Sequence, residues 1–209
     1  MDVSYNSTEH DLASDYILER KPSAVQSSRE QCSHLKISML GPSPKATMSL
    51  FCTLLRGKVP PISALPDPIG VDWGLRRLQN NGSETRMTLW ALSAAEAFSE
   101  LRADLCSQSH AILLILDADS ARLSEQMQQL QRLMQSAQVH AQPSHNPALF
   151  LVAAGGQGSL WEKAAAECRR FAAVHHCRFL EVQPLSTSGT ESLLHLLASS
   201  NSRPVDVEE

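Results

Sequence analysis

Glycine is scarce in this sequence: 9 of its 209 residues are glycine, about 4%, where proteins average about 7%. Long apolar runs are also missing, since none approaches the ~18 residues of a membrane-spanning helix. Hydrophobic residues nevertheless make up 43% of the chain, which excludes a disordered or fibrous protein. A chain of this length forms about one domain and buries about 70% of its unfolded surface, so it needs no disulfide or metal for stability.

Cysteine pairs and an excess of positive charge are absent as well. The five cysteines are odd in number and never occur as C-x-x-C, which argues against a zinc site and a secreted disulfide framework. Free cysteines indicate a reducing, cytoplasmic compartment. Asp and Glu (22) outnumber Lys and Arg (18), for a formal charge of -4. That balance does not favour binding to the phosphate backbone of nucleic acids.

The two ends of the sequence carry no targeting or lipidation signal. The polar, acidic N-terminus is neither a secretory signal nor a typical transit peptide. Residues 205–209 contain no cysteine for a prenyl group. We therefore expect a cytoplasmic protein without a direct lipid anchor, which reaches membranes, cilia or the cytoskeleton only through partners.

Composition and patterning divide the chain into three segments. Residues 1–33 are Ser-rich with weak patterning and predict a flexible N-terminal extension, in which residues 12–18 could form a short helix that docks on a partner. Residues 34–199 predict the folded domain, and residues 200–209 predict a short acidic C-terminal tail.

Hydrophobic periodicity predicts the elements of that domain. Apolar and polar residues alternate from His34 toward Leu40, which predicts a strand, and apolar residues recur at helical spacing within 47–56. The Asn-Gly pair at 81–82 predicts a hairpin. Further strands are expected at 69–78, 85–90, 111–116, 148–152 and 178–182, and helices at 94–106, 120–136, 160–175 and 191–198. This order predicts an α/β fold with a six-stranded, mostly parallel sheet, one antiparallel edge strand and helices on both faces.

Several stretches of the sequence, at consistent spacing, resemble the motifs of one family. Residues 69–73 read I-G-V-D-W and resemble the I-G-V-D-F stretch that follows switch I. Residues 89–98 lie on the stretch L-W-D-T-A-G-Q-E-R-F. Residues 150–152 precede the position of N-K-x-D, and residues 179–181 resemble the start of E-T-S-A-K. With the predicted element order, the chain resembles a Ras-type small GTPase, and the Rab family most closely, over roughly residues 34–198. The resemblance implies a P-loop small-GTPase-like fold.

The phosphate-binding loop of that family reads G-x-x-x-x-G-K-[ST], but residues 41–48 read G-P-S-P-K-A-T-M. By position, Gly41 is retained. Ala46 replaces the second glycine, Thr47 the phosphate lysine and Met48 the hydroxyl that binds magnesium. The loop works by turning backbone N–H groups and a lysine toward the phosphates. Its two prolines have no N–H to offer, and a thioether is a poor ligand for Mg²⁺.

The motifs that contact magnesium, the γ-phosphate and the attacking water differ separately. Pro68 stands where the switch I threonine of the family closes on magnesium. Ala91 and Ala94 stand where the aspartate and glycine of D-x-x-G contact the γ-phosphate. Ala95 stands where a glutamine orients the attacking water. The resemblance therefore carries over the positions of these residues but not their chemistry.

Guanine recognition is missing as well. Residues 154–157 read A-G-G-Q, from Ala154 to Gln157, without the carboxylate that accepts the two N–H groups of the base. A polyanion without compensating charges keeps the full cost of desolvation. The resemblance implies a pseudo-GTPase without catalytic residues, to which we expect neither GTP nor Mg²⁺ to bind. Two alternatives stay open: an atypical GTP-binding protein with little or no hydrolysis, whose phosphate contacts come from Ser43, Lys45 and Ser49, and an unrelated α/β enzyme.

The resemblance also implies a protein-binding surface. Trp73, Trp90 and Leu105 match the positions of an exposed apolar triad on the Rab effector face, and Trp is enriched among interface anchors. The alternative is that both tryptophans are half-buried under the helix at 94–106 and belong to the core. We expect the partners to be other proteins of a multi-subunit complex, with a trafficking, tethering, ciliary or similar role, in which the domain acts as a scaffold.

Two groups of polar residues are expected to have structural roles. Residues 126–131 read Q-M-Q-Q-L-Q and predict a solvated helix face, or else a helical docking surface. Asp117 and Asp119 follow the strand at 111–116 and predict a cap for the helix at 120–136. A catalytic carboxylate pair would need a His or Lys nearby in the sequence, and none is present there.

Overall fold

The computed structural model describes residues 32–58, 61, 65, 70–80, 83–139, 147–155, 159–182 and 187–200. The described strands are β1 (Cys32–Leu40), β2 (Val71–Asn80), β3 (Ser83–Leu92), β4 (Ala111–Asp117), β5 (Ala148–Ala154) and β6 (Arg178–Val182). The helices in the same described residues are α1 (Pro44–Arg56), α2 (Ser99–Ser107), α3 (Leu123–Val139), α4 (Ser159–His175) and α5 (Thr187–Ser200), and a 3-10 turn at Glu96–Phe98 precedes α2. Most of the predicted extension 1–33 and of the predicted tail 200–209 lies outside the described residues.

The described strands form a six-stranded sheet in the order β2-β3-β1-β4-β5-β6. β2 and β3 pair antiparallel, and the other neighbouring strands pair parallel. β2 therefore lies at one edge as the antiparallel strand. The predicted α/β fold with a mostly parallel six-stranded sheet is confirmed at this level.

Side chains alternate along each strand, so both faces of the sheet carry apolar side chains. Helices cover both faces. On β1, Leu35, Ile37 and Met39 belong to a core cluster shared with α1 and α5. Leu40 belongs to a second cluster, which contains side chains of α2, α3 and α4. The continuous apolar run 111–116 forms the buried part of β4, where every residue is buried. A strand covered on both faces needs such a run.

The predicted helix at 94–106 begins later in the structure. Ala95 has extended backbone angles (φ -63°, ψ 141°), and the regular helix starts only at Ser99. The Ser93 hydroxyl accepts a hydrogen bond from the Ala95 N–H at 3.2 Å, which holds a turn ahead of the helix. Short Ser side chains compete with helical hydrogen bonding in this way. α5 differs in the other direction, since it begins at Thr187 rather than at residue 191.

Cys168 of α4 gives a prediction about thiol reactivity. Its side chain is fully buried, and burial raises the pKa of the Cys168 thiol from 9.0 to about 12, with the neighbouring Cys177 adding to the shift. Because the folded chain holds this proton more tightly, we expect stability to fall as the pH rises from 9 through about 12. At about pH 8 the folded protein should resist iodoacetamide at Cys168, since the thiolate is the nucleophile. Mass spectrometry of the peptide should detect alkylation only after unfolding in urea; equal rates in both states would contradict the burial.

Candidate functional site

The loop between β1 and α1 is packed closely against the chain itself. A Cβ atom at Gly41 would lie 2.5 Å from the Thr47 Oγ1 atom and 2.7 Å from the carbonyl oxygen of Ile115. Real Cβ contacts are not that short. Glycine is therefore required here by the approach of β4 and of α1, with no ligand needed to explain it.

The N-terminus of α1 uses its own side chains as hydrogen-bond partners. Ser43 is the N-cap, and its Oγ accepts a hydrogen bond from the Ala46 N–H at 3.3 Å. Pro44 follows at the first helical position and has no N–H. The hydroxyl of Thr47, which the resemblance aligns with the phosphate lysine, donates to the Ser43 carbonyl at 3.0 Å and is buried. The Ala46 N–H that could point at an anion at this helix end is thus already bonded.

Asp117 puts a carboxylate beside this loop. The Ser43 hydroxyl donates to Asp117 Oδ2 at 2.9 Å, and the Asp119 N–H donates to Asp117 Oδ1 at 3.1 Å. The predicted cap of the helix at 120–136 is wrong, because α3 begins only at Leu123 and the Asp117 side chain binds the α1 loop instead. A carboxylate in that position repels a phosphate group.

Gln126 holds Asp117 in place from α3. Its amide oxygen accepts from the Asp117 N–H and its amide nitrogen donates to the Asp117 carbonyl, both at 3.1 Å. Gln126 is only 7% exposed, so the interpretation of residues 126–131 as a solvated face is wrong for this residue, whereas Gln128, Gln129 and Gln131 are exposed. The spacing could have indicated it: position 126 lies three residues after Leu123 and four before Leu130, both buried.

The remaining residues that the resemblance aligns with a phosphate loop also point away from ligand chemistry. Met48, which the resemblance aligns with the hydroxyl that binds magnesium, is buried in the core cluster shared by α1 and α5. Of the three residues considered for unorthodox phosphate contacts, Ser43 is bonded to Asp117, Ser49 is buried and Lys45 is exposed. The described structure gives Lys45 no hydrogen bond or ion pair that would fix it over the loop.

Arg102 of α2 fixes the segment after β3, which the resemblance aligns with D-x-x-G. Its Nη1 donates to the carbonyls of Ser93 at 2.8 Å and Ala95 at 3.1 Å. Arg102 is only 3% exposed, its Nε lacks a partner, and no carboxylate in the described part of the chain pairs with it. Sequence reasoning missed this residue, although it shares the buried side of α2 with Ala103 and Cys106.

The other positions taken from the family motifs fall at the ends of strands. Ala91 is buried inside β3, whereas Ala94 and Ala95 follow that strand. Ala154 ends β5, and Gly155 after it has φ +84°, with Asp119 Oδ2 only 2.7 Å from the position of a Cβ. Pro68 and Gln157 lie outside the described residues. The described positions meet at the carboxyl ends of β1, β3 and β5, the edge at which open α/β sheets bind ligands.

The three residues predicted to bind a partner differ in exposure. Trp73 on β2 is 65% exposed, and it lies opposite Trp90 on β3 with ring centroids 6.0 Å apart. Trp90 and Leu105 are half-buried and pack against the core cluster under α2, α3 and α4. Trp73 therefore does not belong to the core, contrary to the alternative that places both tryptophans there.

Comparisons with known proteins leave the family open. The sequence matches no protein-family model, and no curated protein sequence matches it. Within the described residues, no three His, Cys, Asp or Glu side chains form a group that could hold a metal ion. None of the helices in that part of the chain has the length and apolarity needed to cross a bilayer.

Proposed function

We propose that this chain is a non-enzymatic, Rab-like pseudo-GTPase that acts as a protein-interaction or scaffold subunit of a larger assembly. The observation that carries the proposal is the Ser43–Asp117 hydrogen bond. The cap of α1 is bonded to a carboxylate at the place where the resemblance puts a nucleotide phosphate. The cytoplasmic location, the protein partners and membrane contact only through those partners belong to the same proposal.

The sheet order supports the Rab-like part of the proposal. The resemblance implies one antiparallel hairpin at the edge of a parallel sheet, and β2 and β3 form that hairpin. Those motif positions that the structure describes then fall at one edge of the sheet without adjustment of the spacing. Because the carboxyl ends of parallel strands share one edge in any such sheet, the antiparallel hairpin at the predicted place is the feature that favours this fold over an unrelated α/β enzyme.

The chemistry of the loop supports the loss of nucleotide binding. A bound triphosphate must exchange water for donors and cations, because an uncompensated buried charge is costly. Here the Ala46 N–H is bonded to Ser43, the lysine position holds a buried Thr47, and the magnesium position holds a buried Met48. Asp117 adds a charge of the wrong sign. Each difference acts against the same ligand.

The expected result of isothermal titration with GTP, GDP and ATP in the presence of Mg²⁺ is no detectable binding. An active Rab protein in the same buffer is the positive control. Asp117→Asn is a useful variant, because it removes the opposing charge but supplies neither the lysine nor the magnesium ligand, and it should also fail to bind. Binding of any of the three nucleotides tighter than ~10 μM, about -7 kcal/mol, would overturn the pseudo-GTPase proposal.

A further inference from the structure

Resting on the proposed function, we infer that the exposed side of β2, β3 and β1 docks an acidic protein segment that carries apolar anchor side chains. We call this surface the open face and define it by the residues whose side chains share it. They include Trp73, Leu75, Arg77, Arg86, Trp90 and Lys36, and Glu84 lies on the same side.

β2 is fixed from one side and open on the other. Its side chains at 73, 75, 77 and 79 are all exposed. On the opposite side, Gly74 packs against Leu55, and Arg76 donates to the Leu55 carbonyl at 3.3 Å and forms an ion pair with Glu191 of α5 at 2.5 Å. The edge strand is thereby anchored to α1 and α5, and its open side is a fixed surface on which a partner loses little conformational entropy.

The strand register orders the open face from apolar to basic. Trp73 lies opposite Trp90, and Leu75, two residues further along β2, is 45% exposed. Arg77 comes next on the same side and lies opposite Arg86. Successive rows are about 7 Å apart, so an apolar anchor on the tryptophans and a charge on the arginines can belong to one short partner segment.

The charges of the open face determine the sign of the charge that the partner must carry. Among the described residues, three cations, Lys36, Arg77 and Arg86, share this surface with one carboxylate, Glu84, which pairs with Arg86. No ion pair to Arg77 occurs among the described residues. The excess is positive although the whole chain has a formal charge of -4, so the open face attracts an acidic segment locally.

The apolar part of the surface favours a protein over a nucleic acid. Leu75 is a large exposed hydrophobic residue between the tryptophans and the arginines, and it offers no stacking plane for a base. Trp90 is half-buried under the Lys36 ammonium, 5.3 Å from the ring centroid, so Trp73 alone presents most of an aromatic ring. An aliphatic or aromatic side chain of the partner fits against Trp73 and Leu75, and Asp or Glu residues fit against Arg77 and Arg86.

The test uses three sets of synthetic 15-residue peptides with matched Leu and Phe content and with acidic, neutral or basic charge. Fluorescence anisotropy should detect the acidic set binding best. Trp73→Ala should weaken that binding more than about tenfold, as loss of an interface anchor does. Arg77→Glu should weaken it about tenfold at low salt, and less at ~1 M salt, where charges are screened over about 3 Å. Arg132→Glu, a charge reversal at an exposed position of α3, is the matched control and should leave the affinity unchanged.

Each other outcome overturns the inference. If all three peptide sets bind equally and lose affinity in Trp73→Ala but not in Arg77→Glu, the surface docks proteins without charge selection; the proposed function stands and the acidic partner is wrong. Failure of every set to bind the wild type, or stronger binding of a 15-residue oligouridylate, removes the open face as a site for acidic segments. The nucleotide titration tests the proposed function separately, so the two failures are distinguishable.

Discussion

Gly41→Ala is expected to lower the free energy of unfolding by about 3 kcal/mol, at the upper end of the effect of overpacking a core. The added methyl group would meet two atoms at once, the Thr47 Oγ1 at 2.5 Å and the Ile115 carbonyl oxygen at 2.7 Å. A hydroxyl can rotate away, but the carbonyl belongs to β4, which is hydrogen-bonded on both sides to β1 and β5. The loop after β1 must therefore move.

Gly74→Ala is the matched control. Its added methyl group would approach Leu55 Cδ1 and Cδ2 at 2.5 and 2.7 Å, the same short distances, but these atoms are the movable end of a half-buried side chain. We expect a loss of less than about 1 kcal/mol, partly offset because alanine has less backbone freedom to lose than glycine. Urea denaturation followed by circular dichroism measures both variants. Equal losses would contradict the assignment of the larger effect to a fixed backbone atom.

Thr47→Ala in the Gly41→Ala background separates the contact with the Thr47 hydroxyl from the contact with the Ile115 carbonyl. Removing the Thr47 hydroxyl relieves one contact and leaves the contact with the Ile115 carbonyl, so only part of the stability should return. The coupling energy of the double-mutant cycle reports the share that belongs to the hydroxyl. Gly41 is thus explained by packing, and its presence is no evidence for phosphate binding.

The sheet could be predicted from the sequence because its signals are local. The run at 111–116 is apolar throughout and forms the buried part of β4, and the strand predicted at 178–182 has the bounds of β6. Alternation along 34–40 predicts β1, which begins two residues earlier at Cys32. Periodicity depends on near neighbours in the chain, so it predicts which elements form and leaves their ends less certain.

The polar contacts of the candidate site could not be predicted in the same way. Ser43 and Asp117 are 74 residues apart in the sequence, and their hydrogen bond depends on the register of β1 against β4. Gln126 resembles its exposed neighbours in type and differs only in its position on α3. The exposure of Trp73 depends on β2 being the edge strand, since no helix of the described chain covers the β2 side chains on the side of Trp73.

Arg102→Ala is expected to lower the free energy of unfolding by about 3 kcal/mol, because the hydrogen bonds and packing that it removes outweigh the cost of burying the charge. The variant leaves the carbonyls of Ser93 and Ala95 without their shared donor and removes a packed side chain from under α2. It also removes a buried cation that has no carboxylate partner in the described residues, which is a gain in desolvation. We expect the lost hydrogen bonds and packing to exceed that gain, since the bond to the Ser93 carbonyl is buried and this carbonyl would lose its donor without gaining water.

Arg102→Met tests which term dominates. Methionine keeps most of the apolar stem but removes the donors and the charge. We expect this variant to lose about 1 kcal/mol of the free energy of unfolding, and that loss measures the hydrogen bonds without the packing. Hydrogen exchange at residues 93–98 should accelerate in both variants more than exchange in β4, because Arg102 is the side chain that bridges Ser93 and Ala95. A methionine variant as stable as the wild type, with unchanged exchange at 93–98, would mean that the cost of burying the charge equals the stabilisation by its hydrogen bonds. Arg102 would then not hold this segment in one conformation.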